Sequence, residues 1–117
     1  MKQKIHSVED LKNIIFKEKK ERKKIILCHG VFDLLHVGHI KHLEQSKKLG
    51  DILIVSVTSD RFVNKGPMRP AFDQRLRLEA LAALDAVNFV VLSDNPTAVE
   101  IIKTIRPGIY CKGSDYK

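Results

Sequence analysis

The chain has 117 residues, 44% of them hydrophobic and 30% charged, a composition that excludes a disordered tail and indicates a folded domain. That length supports one hydrophobic core rather than two, so a single domain over residues 1–117 is expected. The formal charge of +7 suits a polyanionic small molecule as well as nucleic acid, and charge alone does not separate them.

No apolar run approaches the length of a bilayer span, and Met1-Lys2-Gln3-Lys4 lacks the apolar segment of a secretory signal. Two cysteines in such a chain point to reduced thiols and a cytoplasmic setting. Much of the positive excess lies in residues 17–24, where Glu18 and Glu21 are interspersed, the pattern of a solvated helix face.

In chain order, Ser7 is the expected N-cap of a first helix, with Glu9 and Asp10 in its first turn and Leu11, Ile14 and Ile15 as its apolar stripe. Residues 1–23 thus read as a helical extension ahead of an α/β core at 24–117. Lys24 to His29 is continuously apolar, as a strand buried on both faces would be. After the stretch Gly30 to His39, a helix is expected through Leu49, with Ile40, Leu43 and Leu49 inward and Gly50 as its stop. Asp51 to Val57 is a second buried strand, ending in Thr58-Ser59-Asp60.

Arg61 to Pro70 carries the breakers Lys65-Gly66-Pro67 and Arg69-Pro70 and reads as a basic loop. A helix capped by Asp73 follows through Leu84, then a third strand from Val87 to Leu92. Asn95 and Pro96 open a further helix whose Val99, Ile102 and Ile105 should face the core. Ile109 to Cys111 is a fourth strand running into Lys112-Gly113-Ser114-Asp115. Alternating strands and helices argue a doubly wound, mostly parallel α/β domain, which binds ligands beyond the carboxyl ends of its strands. Polar residues gather at those ends: Gly30 to Asp33, Thr58 to Asp60, Ser93-Asp94 and Lys112 to Asp115.

His36 and His39 lie three residues apart at a helix start, on one face, where backbone N–H groups and the helix dipole favour an anion. Metal ligation would need further partners, and no paired CxxC pattern supplies them. Packing or capping is a second use. The third is phosphate stabilisation by two imidazole N–H donors, with Gly38 letting a ligand approach the backbone. Lys65, with Arg69 and Arg75, could clamp phosphate groups.

Gly30-Val31-Phe32-Asp33-Leu34-Leu35-His36-Val37-Gly38-His39 resembles the GxFDxxHxGH signature of the cytidylyltransferase-like nucleotidyltransferases. The likeness continues through Leu43 to Asp51, Arg69-Pro70 with Gln74-Arg75, and Lys112 to Lys117. Within that superfamily the chain is most similar to the adenylyltransferase domain of bacterial ADP-heptose synthases, some of them fused to a sugar kinase. Glycerol-3-phosphate cytidylyltransferases come next.

The resemblance implies a Rossmann-like fold and Mg²⁺-assisted nucleotidyl transfer from ATP or CTP to a sugar or polyol phosphate, with release of pyrophosphate. It implies His36, His39 and Lys65 as catalytic residues. It implies Gly30, Val31, Phe32, Asp33, Gly38, Arg75, Lys112, Gly113 and Asp115 as nucleotide-binding residues. No resident metal site, nucleic acid or membrane partner is implied, and a homodimer is common in the family. The family pattern usually continues into another helix, a fifth strand and a Ser/Thr-rich helix start, so the last strand and helix are expected to be missing from these residues. His29 stands where many members carry a small polar residue, and it receives no role at this level.

Overall fold

The computed structural model describes residues 3–33, 35–63 and 73–112, with the side chain of Lys112 left aside. Five parallel strands form one sheet in the order β1-β4-β3-β2-β5. They are β1 (Ile5–His6), β2 (Ile25–Gly30), β3 (Ile52–Thr58), β4 (Phe89–Ser93) and β5 (Ile109–Lys112). The helices are α1 (Val8–Lys20), α2 (Val37–Lys47), α3 (Gln74–Ala82) and α4 (Val99–Ile105), with a single 3-10 turn at Asp60–Phe62.

Alternation along each strand divides the core between two layers, because successive side chains point to opposite faces of a sheet. Ile26, Cys28, Leu53, Val55, Val57 and Val90 pack on one face with Leu43 of α2 and Leu81 of α3. Ile25, Leu27, Ile52, Ile54 and Val91 pack on the other with Leu11 and Ile15 of α1 and Ile101 and Ile105 of α4. Helices therefore cover both faces. The result is the expected Rossmann-like, doubly wound architecture, and the continuous apolar character of β2 and β3 follows from burial on both sides.

The structure differs from the sequence expectation at several element ends, among them α3, which stops at Ala82 rather than Leu84, and β4, which starts at Phe89 rather than Val87. The N-terminal stretch is not wholly helical: Ile5 and His6 pair with Val90 and Val91 as an edge strand. Two residues are too few to show a period, so the sequence carries no signal for that strand. Each core strand ends one residue or more further along than its apolar run, because ladder pairing continues through Gly30, Thr58, Ser93 and Lys112.

Helix α4 starts at Val99 rather than after Asn95, with Ala98 at its N-cap and no capping side-chain hydrogen bond. This moves its inner stripe to Ile101 and Ile105 and leaves Val99 51% exposed. Helix α2 ends at Lys47 with Lys48 as C-cap, short of Gly50, so Leu49 is 53% exposed and Ser46 takes the inner position after Leu43. Gly50 is still constrained, since a Cβ there would lie 2.8 Å from Ile26 Cδ1 and 3.0 Å from the carbonyl oxygen of Lys24.

Candidate active site

From β2 the chain builds outward through β3 and β4, and it then returns to place β5 on the other side of β2. Strand order therefore reverses between β2 and β5. In an open α/β sheet the crevice outside the carboxyl ends of such a pair is the ligand site. The segment after β2 begins at Val31 and the segment after β5 follows Lys112, which pairs with His29 across the ladder. The carboxyl ends of β2 and β5 thus lie side by side.

The loop after β2 is shaped by Phe32, whose φ of 52° is left-handed although the residue is not glycine. Such a conformation costs on the order of 1–3 kcal/mol and needs the surroundings to hold it. The ring provides the hold. It is buried, lies edge-on to His39 with centroids 5.9 Å apart, and covers Gly30, where a Cβ would come within 2.9 Å of its Cε2. Gly30 is accordingly a packing requirement of Phe32. Phe32 and Asp33 are both nearly buried and, with Leu35, Leu76, Arg77 and Ala80, line a cavity of ≈ 300 Å³ between the loop and α3.

His36 and His39 form a reciprocal cap on α2. The Gly38 N–H donates to His36 Nδ1 at 3.0 Å, and the His36 N–H donates to His39 Nδ1 at 3.3 Å. Two of the helix's orphan donors are satisfied in this way. Because each Nδ1 accepts, the neutral rings carry their proton on Nε2, which presents two imidazole N–H donors at one helix N-terminus. The rings lie 4.0 Å apart between centroids. Capping and phosphate stabilisation were separate readings of the sequence; the geometry shows the cap, and the cap sets a tautomer whose Nε2–H is able to donate.

Gly38 serves this arrangement differently from the sequence expectation. A Cβ on it would lie 2.7 Å from His36 Cε1 and 3.0 Å from Nδ1, so the space is kept for the His36 ring rather than for a ligand. Gly38→Ala is expected to expel that ring. Turnover should fall at least about tenfold, while the better helix propensity of alanine, worth up to about 1 kcal/mol, keeps the melting temperature near that of the wild type. Parallel kinetics and thermal melts check this.

Arg77 was missed by sequence reasoning, which named Arg75 instead. Arg75 is on the solvent side of α3, its side chain 85% exposed and 3.6 Å from Glu79. It borders an open depression with Asp60, Arg61, Asp73, Gln74, Leu92 and Asp94, beyond the ends of β3 and β4. Arg77 is 1% exposed. Its Nη1 donates to the carbonyl oxygens of Val31 at 2.8 Å and Thr58 at 2.7 Å, and its Nη2 donates to Asp60 Oδ1 at 2.6 Å. Asp60 and Gln74 then exchange hydrogen bonds of 3.0 and 3.2 Å. One guanidinium fork therefore ties the loop after β2 to the end of β3 and to the start of α3. The missed signal was periodic: Arg77 is four residues before the buried Leu81, whereas Arg75 and Glu79 share the outer face.

His29 also gains a place. Ser56 Oγ is 2.6 Å from His29 Nδ1, Thr58 Oγ1 is 3.3 Å from Nε2, and Thr58 Oγ1 donates to the Gly30 carbonyl oxygen at 3.4 Å. With Thr58 donating onward, Nε2–H donates to Thr58 and Nδ1 accepts from Ser56. This chain fastens the last turn of β2 to β3.

Burial holds the His29 pKa below its ordinary 6.5. The unfolded chain therefore binds this proton first as pH falls. The associated stability is fully present above about 6.5 and is lost as pH drops from there through the lower folded value. Melting curves should show wild type losing ground to His29→Gln as the pH is taken below that point. A difference between the two that does not change with pH would contradict this.

Among the described residues, no group of three or more His, Cys, Asp or Glu side chains is arranged to hold a metal ion. Lys65, Gly113 and Asp115 lie outside the described residues, and Lys112 is placed by its backbone alone, at the end of β5 beside His29. The structure thus brings together Gly30, Val31, Phe32, Asp33, His36, Gly38 and His39 around the start of α2. It leaves Arg75 on the outer face of α3.

The chain is similar to known proteins. The bifunctional protein HldE of Geobacter metallireducens is 44% identical over 115 residues, which cover 97% of this chain and 24% of that protein. HldE of Sulfurimonas denitrificans is likewise 44% identical over 97% of the chain. The chain therefore spans about a quarter of the length of these curated relatives. A crystal structure described as the lipopolysaccharide core biosynthesis protein from Thermoplasma volcanium superposes with a TM-score of 0.72 at 36% identity, covering 81% of this chain and 78% of that one. The family model for cytidylyltransferase-like proteins matches residues 27–117, from within β2 through the site and beyond β5, and the chain belongs to that family.

Proposed function

We propose that this domain is a nucleotidyltransferase that joins the adenylyl group of ATP to a sugar phosphate of the heptose-1-phosphate type, giving an ADP-sugar and pyrophosphate. The observation that carries the reading is the reciprocal histidine cap at the start of α2, with its two Nε2–H donors beside the switch point of the sheet. The neighbour described as a lipopolysaccharide core biosynthesis protein supports a carbohydrate acceptor.

In this reading a phosphate oxygen of the acceptor attacks the α-phosphorus in line, and the bond from that phosphorus to the bridging oxygen breaks. Charge grows on the non-bridging oxygens during transfer. His36 and His39 donate to those oxygens, helped by the N-terminal dipole of α2. Lys65 neutralises phosphate charge, and Lys112, Gly113 and Asp115 contribute to nucleotide binding. Mg²⁺ bound with the triphosphate would supply charge neutralisation for the pyrophosphate; such ions are held largely by substrate phosphates, which fits a set of described residues with no group of three or more metal-ligating side chains. Positioning and charge stabilisation suffice without a covalent enzyme intermediate. No helix among the described residues is long and apolar enough to cross a membrane, which is compatible with the proposed cytoplasmic setting. In a longer chain this domain would accompany a second activity, of the sugar kinase type.

The test is pyrophosphate release by the full-length protein with ATP or CTP against heptose-1-phosphate and glycerol-3-phosphate. Turnover is expected with ATP and the heptose phosphate. Turnover only with CTP and glycerol-3-phosphate would replace both substrates in this reading. Tight nucleotide binding by calorimetry with no turnover from any pair would make the domain a binding module instead.

A further inference from the structure

Two thiols lie side by side where β2 and β5 approach the site, and nucleotidyl transfer uses neither. Cys28 and Cys111 are direct register partners in the parallel ladder. Both enter the layer between the sheet and α2, Cys28 fully buried and Cys111 half-buried against the same apolar cluster. Each immediately precedes a residue at the crevice: His29 on β2 and Lys112 on β5.

The spacing is close to that of a disulfide. Neighbouring strands lie about 4.8 Å apart, within the roughly 4.4–6.8 Å of Cα separation that disulfides span. In-register side chains run nearly parallel, so the Cβ atoms also start near about 4.8 Å, roughly 1 Å beyond the usual bridged value. Closure must therefore draw β5 toward β2. A bond formed under such strain is more readily reduced than a structural one.

We propose that Cys28 and Cys111 form a reversible dithiol–disulfide pair which, under peroxide, fastens β5 to β2 and shifts the Lys112 end of β5 at the nucleotide crevice. Burial pushes the Cys28 thiol up to about 12, so it rests protonated, and the more accessible Cys111 is the first to react. The Cys111 thiolate attacks the peroxide oxygen, giving a sulfenic acid and, after proton uptake, water. Cys28 sulfur then attacks the Cys111 sulfur, and the expelled hydroxide leaves as water with the Cys28 proton. Two thiols and one hydrogen peroxide become one disulfide and two waters, with both sulfurs oxidised and the peroxide reduced.

The consequence for turnover rests on the nucleotidyl-transfer reading, whereas the bond itself does not. The test treats the full-length protein with a small excess of hydrogen peroxide, then alkylates it under denaturing conditions and maps its peptides by mass. A Cys28–Cys111 cross-link within one chain is expected, with both sulfurs protected from alkylation and released by dithiothreitol. Turnover should fall about tenfold and return on reduction. Cys111→Ser, a change at the half-buried member that leaves the Cys28 packing in place, should lose both responses while keeping its basal rate.

Continued alkylation of both cysteines would overturn the proposal, as would sulfinic acid on Cys111 beside a free Cys28, or cross-links only between chains. A cross-link with unchanged turnover would overturn its effect on the site. Absence of turnover before oxidation would count against the nucleotidyl-transfer reading, leaving the peptide map to decide the bond.

Discussion

Replacing His36 by alanine in the full-length protein is expected to lower turnover about 10²- to 10³-fold, the usual consequence of removing one donor to a developing oxyanion. It should also cost about 1 kcal/mol of stability, because His36 is the N-cap of α2 and accepts from the Gly38 N–H. The two effects can be separated. Asparagine caps as well as any residue through its short side-chain oxygen, but it has no atom at the place of Nε2. His36→Asn should therefore recover the lost stability and leave turnover as low as in the alanine variant. His39→Ala should show a comparable loss of rate, since its Nδ1 completes the reciprocal cap. Recovery of turnover in His36→Asn would mean that the histidine serves the helix and not the phosphate.

The largest effect on folding is expected at Arg77. Methionine fills similar volume but leaves the carbonyl oxygens of Val31 and Thr58 without the Arg77 donors and Asp60 without its closest cation. Asp60 is partly in water, which offsets some of its loss. The two carbonyl groups are the main cost, and together the change should destabilise the domain by about 3 kcal/mol. Lysine restores the charge but cannot reach three acceptors as a planar fork does, so Arg77→Lys should fall between the two. Chemical denaturation measures both. Turnover should fall in Arg77→Lys even under conditions where it is folded, because the Val31 carbonyl belongs to the loop that carries Phe32 and Asp33.

Much of this architecture was legible because burial on both faces writes itself into the strands. The runs at Ile25–Leu27 and Ile52–Val55 contain no polar residue to dispute their assignment. The candidate site stood out for a different reason: two histidines three residues apart at the strand-to-helix junction, within a stretch that resembles the GxFDxxHxGH signature, are more than a connecting loop requires. What the spacing did not disclose was why the residues are needed. Gly38 read as an opening for a ligand and Gly30 as a nucleotide-binding residue by resemblance, but the space at both is filled from within, by the rings of His36 and Phe32. A one-dimensional pattern shows that a side chain is missing and not what occupies its place.

Arg77 was hidden by the general rule that arginine is exposed. That rule fails where one guanidinium meets three oxygen acceptors from separate segments. The start of α4 was misplaced because Asn95-Pro96 is a good local helix start that tertiary packing overrides in favour of Val99. His29 had no readable role because its partners, Ser56 and Thr58, are supplied by the neighbouring strand.

The most direct test of the central claim is the structure of the full-length protein with a nucleotide whose α,β-bridge cannot be cleaved. The two capped histidines at the start of α2 should place their Nε2 atoms within about 3 Å of non-bridging oxygens on the α-phosphate. An α-phosphate bound more than about 6 Å from both rings, beyond any direct hydrogen bond, would contradict the account.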